Sequence, residues 1–391
     1  MASNRSTPRH RKKKKSGAPA VLLTICILCL LIVAGTLVAQ RFLLDKGPGS
    51  SSVPVQQGGV ELGLDQTEIT LYEGYSAVLH TVPEGTPAVW SSDNEAVARV
   101  DGGTVRAAAP GTAVIRAYTD SSEAFCTVTV LALPKVTVEN PSGQHIDETK
   151  LQTLRELTAQ APLTVSVYYK DLVTGTVIEY NSGKKYAAGS VIKAPYCKWL
   201  LASGADLEER LTFTSADILE GSGSLKDSPE GTAFTVRELA DKALRESDNT
   251  AYHMLVKRFG FDGFLGYAQS LGVGANQSSS NLFGNMSAVG AGIYFQDIYY
   301  WSQGEPERGQ FLKDALCNTT YRKLISSAVD APVAHKYGYN NGTGGFHDAA
   351  IVYRDRPYVL TIFTYLDPDV PETVPYIQSL AACLDSIHTG G

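Results

Sequence analysis

Hydrophobic and polar positions divide the chain into stretches of different rhythm. Ala18–Ala39 runs for 22 residues without a charge and is dominated by Leu, Ile and Val. As a helix rising ~1.5 Å per residue it would span roughly 33 Å, against a bilayer core of about 30 Å. The pattern therefore predicts a transmembrane helix over residues 18–44, preceded by a basic cytoplasmic segment, residues 1–17. The rival reading is a cleaved signal peptide. The length of the run and the absence of small residues at both cleavage positions in Leu37-Val38-Ala39 argue against it. Residues 45–59 (DKGPGSSSVPVQQGG) hold almost no bulky side chain and read as a flexible linker.

From residue 60 the rhythm changes to short alternating runs. Ala77–Val82, Ala113–Tyr118 and Phe125–Leu131 read as strands, separated by turn signals at Pro83-Glu84-Gly85, Asp101-Gly102-Gly103 and Pro110-Gly111. Residues 60–133 are thus expected to form a small all-β sandwich. Residues 137–391 mix both periods. Asp147 is placed to cap a helix over Glu148–Gln160. A hairpin follows, Leu163–Asp171 and Val177–Asn181, around Val173-Thr174-Gly175. Helical spacing returns over Val236–Arg245 and Thr250–Phe259, strands over Phe346–Tyr353 and Tyr358–Tyr365, and a closing helix over Val374–His388. Strands at both ends with helices between imply a sheet assembled from distant parts of the chain, in the α/β or α+β classes.

Charge narrows the function. The net charge of −6 includes seven basic residues and no acid in the first 40, so the remainder is more acidic than the total suggests. An acidic body excludes nucleic acid as the expected partner, because phosphate binding needs a basic surface. Cys26 and Cys29 lie in the apolar run; Cys126, Cys197, Cys317 and Cys383 are scattered, without CxxC spacing. This is neither a disulfide framework nor a zinc site, and mostly buried free thiols are expected. No carboxylate or histidine cluster suggests a metal, and no cofactor is implied.

Three short motifs carry candidate chemistry. Ser190-Val191-Ile192-Lys193 opens the helical run SVIKAPYCKWLLA. Residues three apart on a helix share a face, so Lys193 sits beside the Ser190 hydroxyl and can take its proton if its pKa is lowered. The helix N-terminus also puts the Ser190 N–H where negative charge develops. Ser247-Asp248-Asn249 precedes a helix: Ser247 can relay a proton to a leaving group, Asn249 can contact a substrate carbonyl and Lys193, and Asp248 braces the loop. Lys336-Tyr337-Gly338 lies on an expected strand at a cleft edge, where Lys336 supplies positive charge, Gly338 lets a substrate backbone approach, and the Tyr339 N–H is the second oxyanion donor.

In this order the motifs resemble the S-x-x-K, S-D-N and K-T-G set of class A β-lactamases and penicillin-binding proteins. The stretches LEGSGSLKD (Leu219–Asp227) and HDAAIVY resemble that family too, and the resemblance covers residues ~145–391. It implies an extracytoplasmic acyl-serine hydrolase with Ser190, Lys193 and Ser247 catalytic, and Asn249, Lys336, Tyr337, Gly338 and Tyr339 contacting a β-lactam or a D-alanyl-D-alanine-type peptide. The third motif departs from the pattern. Tyr337 stands where a threonine would contact the ligand carboxylate. Class A enzymes also need a loop glutamate some three dozen residues after the second motif, yet no glutamate occurs between Glu246 and Glu305. Asn276, Gln277 and Asn281 offer only amides there, which are not bases near neutral pH. Slow deacylation is therefore expected. The alternative is a non-catalytic module that keeps the fold to bind cell-wall peptide. His335, His347 and His253 are read as structural, and Arg354 or Arg356 as further carboxylate contacts that position alone does not decide. Within residues 60–133, Trp90-Ser91-Ser92-Asp93 followed by AVARVDGGTVRAAAPGTAVIRA resembles the bacterial immunoglobulin-like group 2 domain. That likeness implies a spacer, with Trp90 packed between the sheets.

Overall fold

The computed structural model describes residues 61–390. The basic segment, the transmembrane helix and the linker expected over 1–59 lie outside the described residues, as do Cys26 and Cys29. Among the described residues no helix is long and apolar enough to cross a membrane.

Residues 61–131 form an all-β module. A four-stranded sheet runs in the order Glu68–Tyr72, Glu123–Leu131, Gly111–Tyr118, Val89–Ser92, and faces a three-stranded sheet, Ser76–Val78, Thr104–Ala107, Ala98–Asp101. Their inner faces meet at Ile69, Leu79, Val105, Ile115, Cys126 and Val128, with Trp90 half-buried against them. The strand expected over Ala77–Val82 is broken. Ser76–Val78 pairs with Thr104–Arg106, whereas Thr81–Val82 pairs with Gly63–Leu64. Between them the Leu79 N–H donates to Gly103 O and the His80 N–H to Asp65 Oδ1, so the chain crosses from one partner to another in two residues.

The remainder is built on a six-stranded antiparallel sheet. Its strands are β1 (Thr137–Glu139), β2 (Val165–Asp171), β3 (Val177–Tyr180), β4 (Val333–Asn340), β5 (Gly345–Val352) and β6 (Tyr358–Thr364), in the spatial order β1-β3-β2-β6-β5-β4. The helices are α1 (Glu148–Ala159), α2 (Lys193–Ala202), α3 (Val236–Arg245), α4 (Asn249–Phe259), α5 (Asp262–Ser270), α6 (Ala288–Gly304), α7 (Arg308–Cys317), α8 (Ile325–Ala328) and α9 (Thr373–Thr389). Asp147 caps α1 as expected, its Oδ1 accepting from the N–H groups of Thr149 (2.9 Å) and Lys150 (3.3 Å).

Every residue of β5 and β6 is buried. Their alternation therefore separates two cores, rather than core from water. Val359 and Phe363 point into the cluster built on α2 to α7, whereas Tyr358, Leu360 and Ile362 point into the cluster with α1, α8 and α9. A sheet covered by helices on both faces has this pattern whatever its strand polarity. The arrangement leaves β4 as a free edge, and the third motif lies on it. Cys126, Cys197 and Cys383 are buried free thiols, and Cys317 is half-buried and also free.

Candidate active site

Ser190 sits on a tight 3-10 turn, Gly189–Ile192, and the α-helix begins only at Lys193. This corrects the expectation that the motif opens an α-helix. Pro195 falls in the first turn of α2, where its missing N–H is not needed. In a 3-10 turn residues three apart eclipse one another, so the serine–lysine pairing survives the change of helix type. Gly189 holds φ +53°. A Cβ there would meet Tyr339 N and O at 3.0 Å, and one on Gly338 would meet Ala188 O at 2.7 Å and Ser190 N at 3.0 Å. Both glycines are thus required by the close approach of the turn to β4.

Lys193 is completely buried. Its Nζ donates to Asn249 Oδ1 at 2.7 Å and to the Ser247 carbonyl. Burial, and after it the nearby charge of Lys336, holds its pKa well below the ordinary lysine value. A shift in this direction makes the amine easier to hold neutral, which favours a role as general base. Among the described residues, Ser190 Oγ takes part in no hydrogen bond, and the residue is 8% exposed.

Ser247 adopts φ +58°, unusual for a residue with a side chain. Its carbonyl accepts from Lys193 and, at 2.7 Å, from Ser222 Oγ, while its hydroxyl accepts from Lys336 Nζ at 2.9 Å. The strained backbone thus turns the carbonyl toward one lysine and the hydroxyl toward the other. Asp248 caps α4: Oδ1 accepts from Ala251 N–H (2.8 Å) and Oδ2 from Leu225 N–H (2.7 Å). It braces Leu219–Asp227 against the helix. Asn249 is oriented on both sides, with Oδ1 on Lys193 and Nδ2 donating to Glu220 O at 2.7 Å.

Lys336 is fully buried, and burial, opposed by Asp348, lowers its pKa to about 7. Tyr337 lies beside it, its ring centroid 4.7 Å from Lys336 Nζ and 4.3 Å from the Tyr321 ring. Gly338 and Tyr339 complete the edge. Lys193, Ser247, Asn249 and Lys336 are therefore joined by hydrogen bonds, and Ser190 lies one turn before Lys193 with its backbone N–H against Gly338.

His335 and His347 are structural. His335 Nδ1 meets Asp348 Oδ1 at 2.9 Å and its Nε2 meets Thr319 Oγ1 at 2.8 Å, all buried. His347 accepts at Nδ1 from Thr364 N–H (3.1 Å) and donates from Nε2 to Ala187 O (3.0 Å), a neutral tautomer, with burial lowering its pKa to about 4. It supports the turn that carries Ser190. His253 Nδ1 bonds Asp217 O at 2.9 Å. Arg354 is held bidentately by Asp385, and Arg356 by Gln144 and His388 O, so neither arginine is a free carboxylate contact. No cluster of metal-ligating side chains occurs among the described residues.

The segment before α6 shows what motif reading missed. Its amides hold the loop itself: Asn276 Oδ1 accepts from Asn285 N–H (2.7 Å), Asn281 Oδ1 from Gly284 N–H (3.1 Å), and Gln277 Nε2 donates to Phe283 O (3.1 Å). Gln277 Oε1 is buried without a partner among the described residues. The side chain this loop presents near Lys193 is Phe283, whose ring centroid lies 5.7 Å from Nζ. Neither Phe283 nor Tyr321 carried any sequence signal. Asp348 did, through the stretch HDAAIVY.

The beta-lactamase enzyme family matches residues 149–385, more than half of the chain. The beta-lactamase of Mycobacterium tuberculosis (strain H37Rv) is 27% identical over 233 residues, covering 54% of this chain and 75% of the relative. That of Bacillus licheniformis is 30% identical over 107 residues, covering 27% and 34%. Among solved structures, PBP-A superposes with a TM-score of 0.56 at 21% identity, covering 65% of this chain and 100% of that one. The beta-lactamase of Streptosporangium roseum gives 0.55 at 23%, covering 62% and 99%. The structural likenesses establish the fold, and the match across the span that holds all three motifs establishes the kinship: this chain belongs to the beta-lactamase enzyme family and is a serine hydrolase.

Proposed function

We propose that the enzyme opens a β-lactam or a D-alanyl-D-alanine-like amide through Ser190 and releases the acyl group slowly. Ser190 Oγ attacks the carbonyl carbon, and its proton passes to the neutral Nζ of Lys193. The Ser190 and Tyr339 N–H groups receive the oxyanion. As the C–N bond breaks, the leaving nitrogen takes a proton relayed through the Ser247 hydroxyl, which Lys336 polarises, and an ester to Ser190 remains. Asn249 aligns Lys193 and the substrate carbonyl; Gly338 admits the substrate backbone. The observation that carries this reading is the buried Lys193, bonded to Asn249 and Ser247 and one turn from an unengaged serine hydroxyl. The curated relatives are named beta-lactamases, and a point mutant of PBP-A is described as an acyl-enzyme complex with penicillin G.

Slow release follows from the loop over 274–285, which offers amides and Phe283 but no carboxylate near Lys193. We further infer that residues 18–44 anchor the protein in the cell membrane with the catalytic domain outside. In this reading 45–59 is a tether, and the module over 60–133 is an immunoglobulin-like spacer before a domain over 137–391. The apolar run, the basic flank and the two-sheet core support that layout.

Intact mass of the purified protein, followed after mixing with benzylpenicillin, tests the chemistry. A lasting adduct that is absent from Ser190→Ala is expected. Equal labelling of that variant would end the assignment of the nucleophile. Rapid loss of drug without an adduct would reveal a deacylation route, and intact drug without an adduct would move the substrate to another class.

A further inference from the structure

Resting on the acyl-serine reading, we propose that Tyr337, backed by Tyr321, fills the place where a leaving-group carboxylate would sit. Carboxylate-bearing donors such as benzylpenicillin then acylate Ser190 more slowly than donors whose leaving group is uncharged. The ring of Tyr337 lies over Lys336 Nζ at 4.7 Å and packs on Tyr321 with ring centroids 4.3 Å apart. Its phenol is raised in pKa by burial, an effect partly offset by its side-chain contact with Ser247. One aromatic residue therefore lies over the cation that donates to the Ser247 hydroxyl.

The arrangement is built in. Tyr321 follows Thr319, whose hydroxyl meets His335, and precedes Ile325, whose N–H donates to Asp348 Oδ2 at 3.1 Å. Asp348 stands opposite Tyr337 in the β4–β5 pairing. The Thr319–His335–Asp348 chain thus fixes the segment carrying Tyr321 to the hairpin carrying Tyr337, and Tyr337 cannot swing aside without losing its aromatic neighbour.

Among the described residues, the cations near Tyr337 and Tyr321 are engaged or exposed, and Arg245, whose carbonyl accepts from Thr320, gives its Nε to Asp241 Oδ1 at 2.6 Å. Lys336 Nζ is buried and divided between Ser247 Oγ and Tyr337 O (3.2 Å). Lys193 is held by Asn249 and Ser247, and Arg322 donates to Cys317 O. Lys323 is exposed, 6.0 Å from the Tyr321 ring, where water screens its charge. Bringing a carboxylate against the tyrosine pair would desolvate it without a partner.

The test uses an N-acyl-D-alanyl thioglycolate and its methyl ester, which differ in whether the leaving group is charged. With each, the Ser190 Oγ–C bond forms, the C–S bond breaks, and the serine proton ends on the departing thiol. Adduct formation on Ser190 and thiol release are followed, and each rate is corrected for the probe's reaction with hydroxide. The wild-type protein is expected to react at least tenfold faster with the methyl ester. Tyr337→Phe should keep that preference, and Tyr337→Thr should reverse it. Lys323→Ala should leave the ratio unchanged. A wild-type preference for the charged probe overturns the inference even if Tyr337→Thr does not fold. An unchanged ratio in folded Tyr337→Thr overturns it too, as does a tenfold loss confined to the charged probe in Lys323→Ala. If neither probe labels Ser190 in any variant, the acyl-serine reading falls as well.

Discussion

On one side of the site, Lys193, Ser247, Asp248 and Asn249 are tied to one another and to Leu219–Asp227 by hydrogen bonds, and Ser190 lies one turn before Lys193. On the facing segment, residues 274–285 turn their amides back on their own backbone and offer Lys193 an aromatic ring. The first carries the residues that the proposed acylation uses; the second presents amides and an aromatic ring, and no carboxylate. On the proposed reading, the two halves of the reaction are specified by separate segments of one fold.

The comparison can be broken at either side. Replacing Lys193 with Met should slow acylation by ~10²–10⁴-fold, the range for loss of a positioned general base; stopped-flow loss of benzylpenicillin reads this, and an unchanged rate would remove Lys193 from the mechanism. Asp248→Ala should cost about 2–4 kcal/mol in unfolding free energy, because a helix cap and a partner of the buried Leu225 N–H go together. Urea titration measures it, and a loss below about 0.5 kcal/mol, the scale of ordinary surface changes, would show that the first side does not depend on its brace.

Phe283→Glu brings a carboxylate to the second side and should shorten the adduct lifetime about tenfold or more. An unchanged lifetime in a folded variant would mean that the loop is not what preserves the ester. A pH-dependent effect concerns Lys336. Its folded pKa, about 7, lies below the ordinary lysine value of 10.5, so between those values the unfolded chain holds a proton that the folded one has released. Stability should rise with pH across that window, and Lys336→Met should flatten the rise. Denaturant midpoints across that same window check the sign.

Much of the architecture is legible in the sequence because local signals agree with the tertiary result. The α3 boundaries follow from its amphipathic spacing and the Thr235–Glu238 capping box. The strand expected over Tyr358–Tyr365 is β6 with one residue fewer. What local rhythm does not carry is the identity of the partner. The Ala77–Val82 run divides because two different strands claim its halves, and Ser190 sits on a 3-10 turn because β4, far along the chain, presses against Gly189. The three motifs locate the residues that the proposed acylation uses, since that chemistry demands those residue types. Phe283 and Tyr321 escape notice because an aromatic residue in a loop has no spacing rule; only its neighbours give it a role. Arg354 and Arg356 show the converse, charged residues near a motif whose partners lie in α9 and β2.

The β2–β6 pairing has a consequence for how the enzyme is made. Val165 is opposite Thr364 and Asp171 is opposite Tyr358, so the middle of the sheet joins the early and late parts of the domain. While the ribosome is still adding α6 and α7, β2 has no neighbour on one side and both cores stay open. Long-range closure of this kind is slow, and unpaired edges attract other chains in the meantime. The sheet of the nascent domain therefore cannot be completed until β6 has emerged.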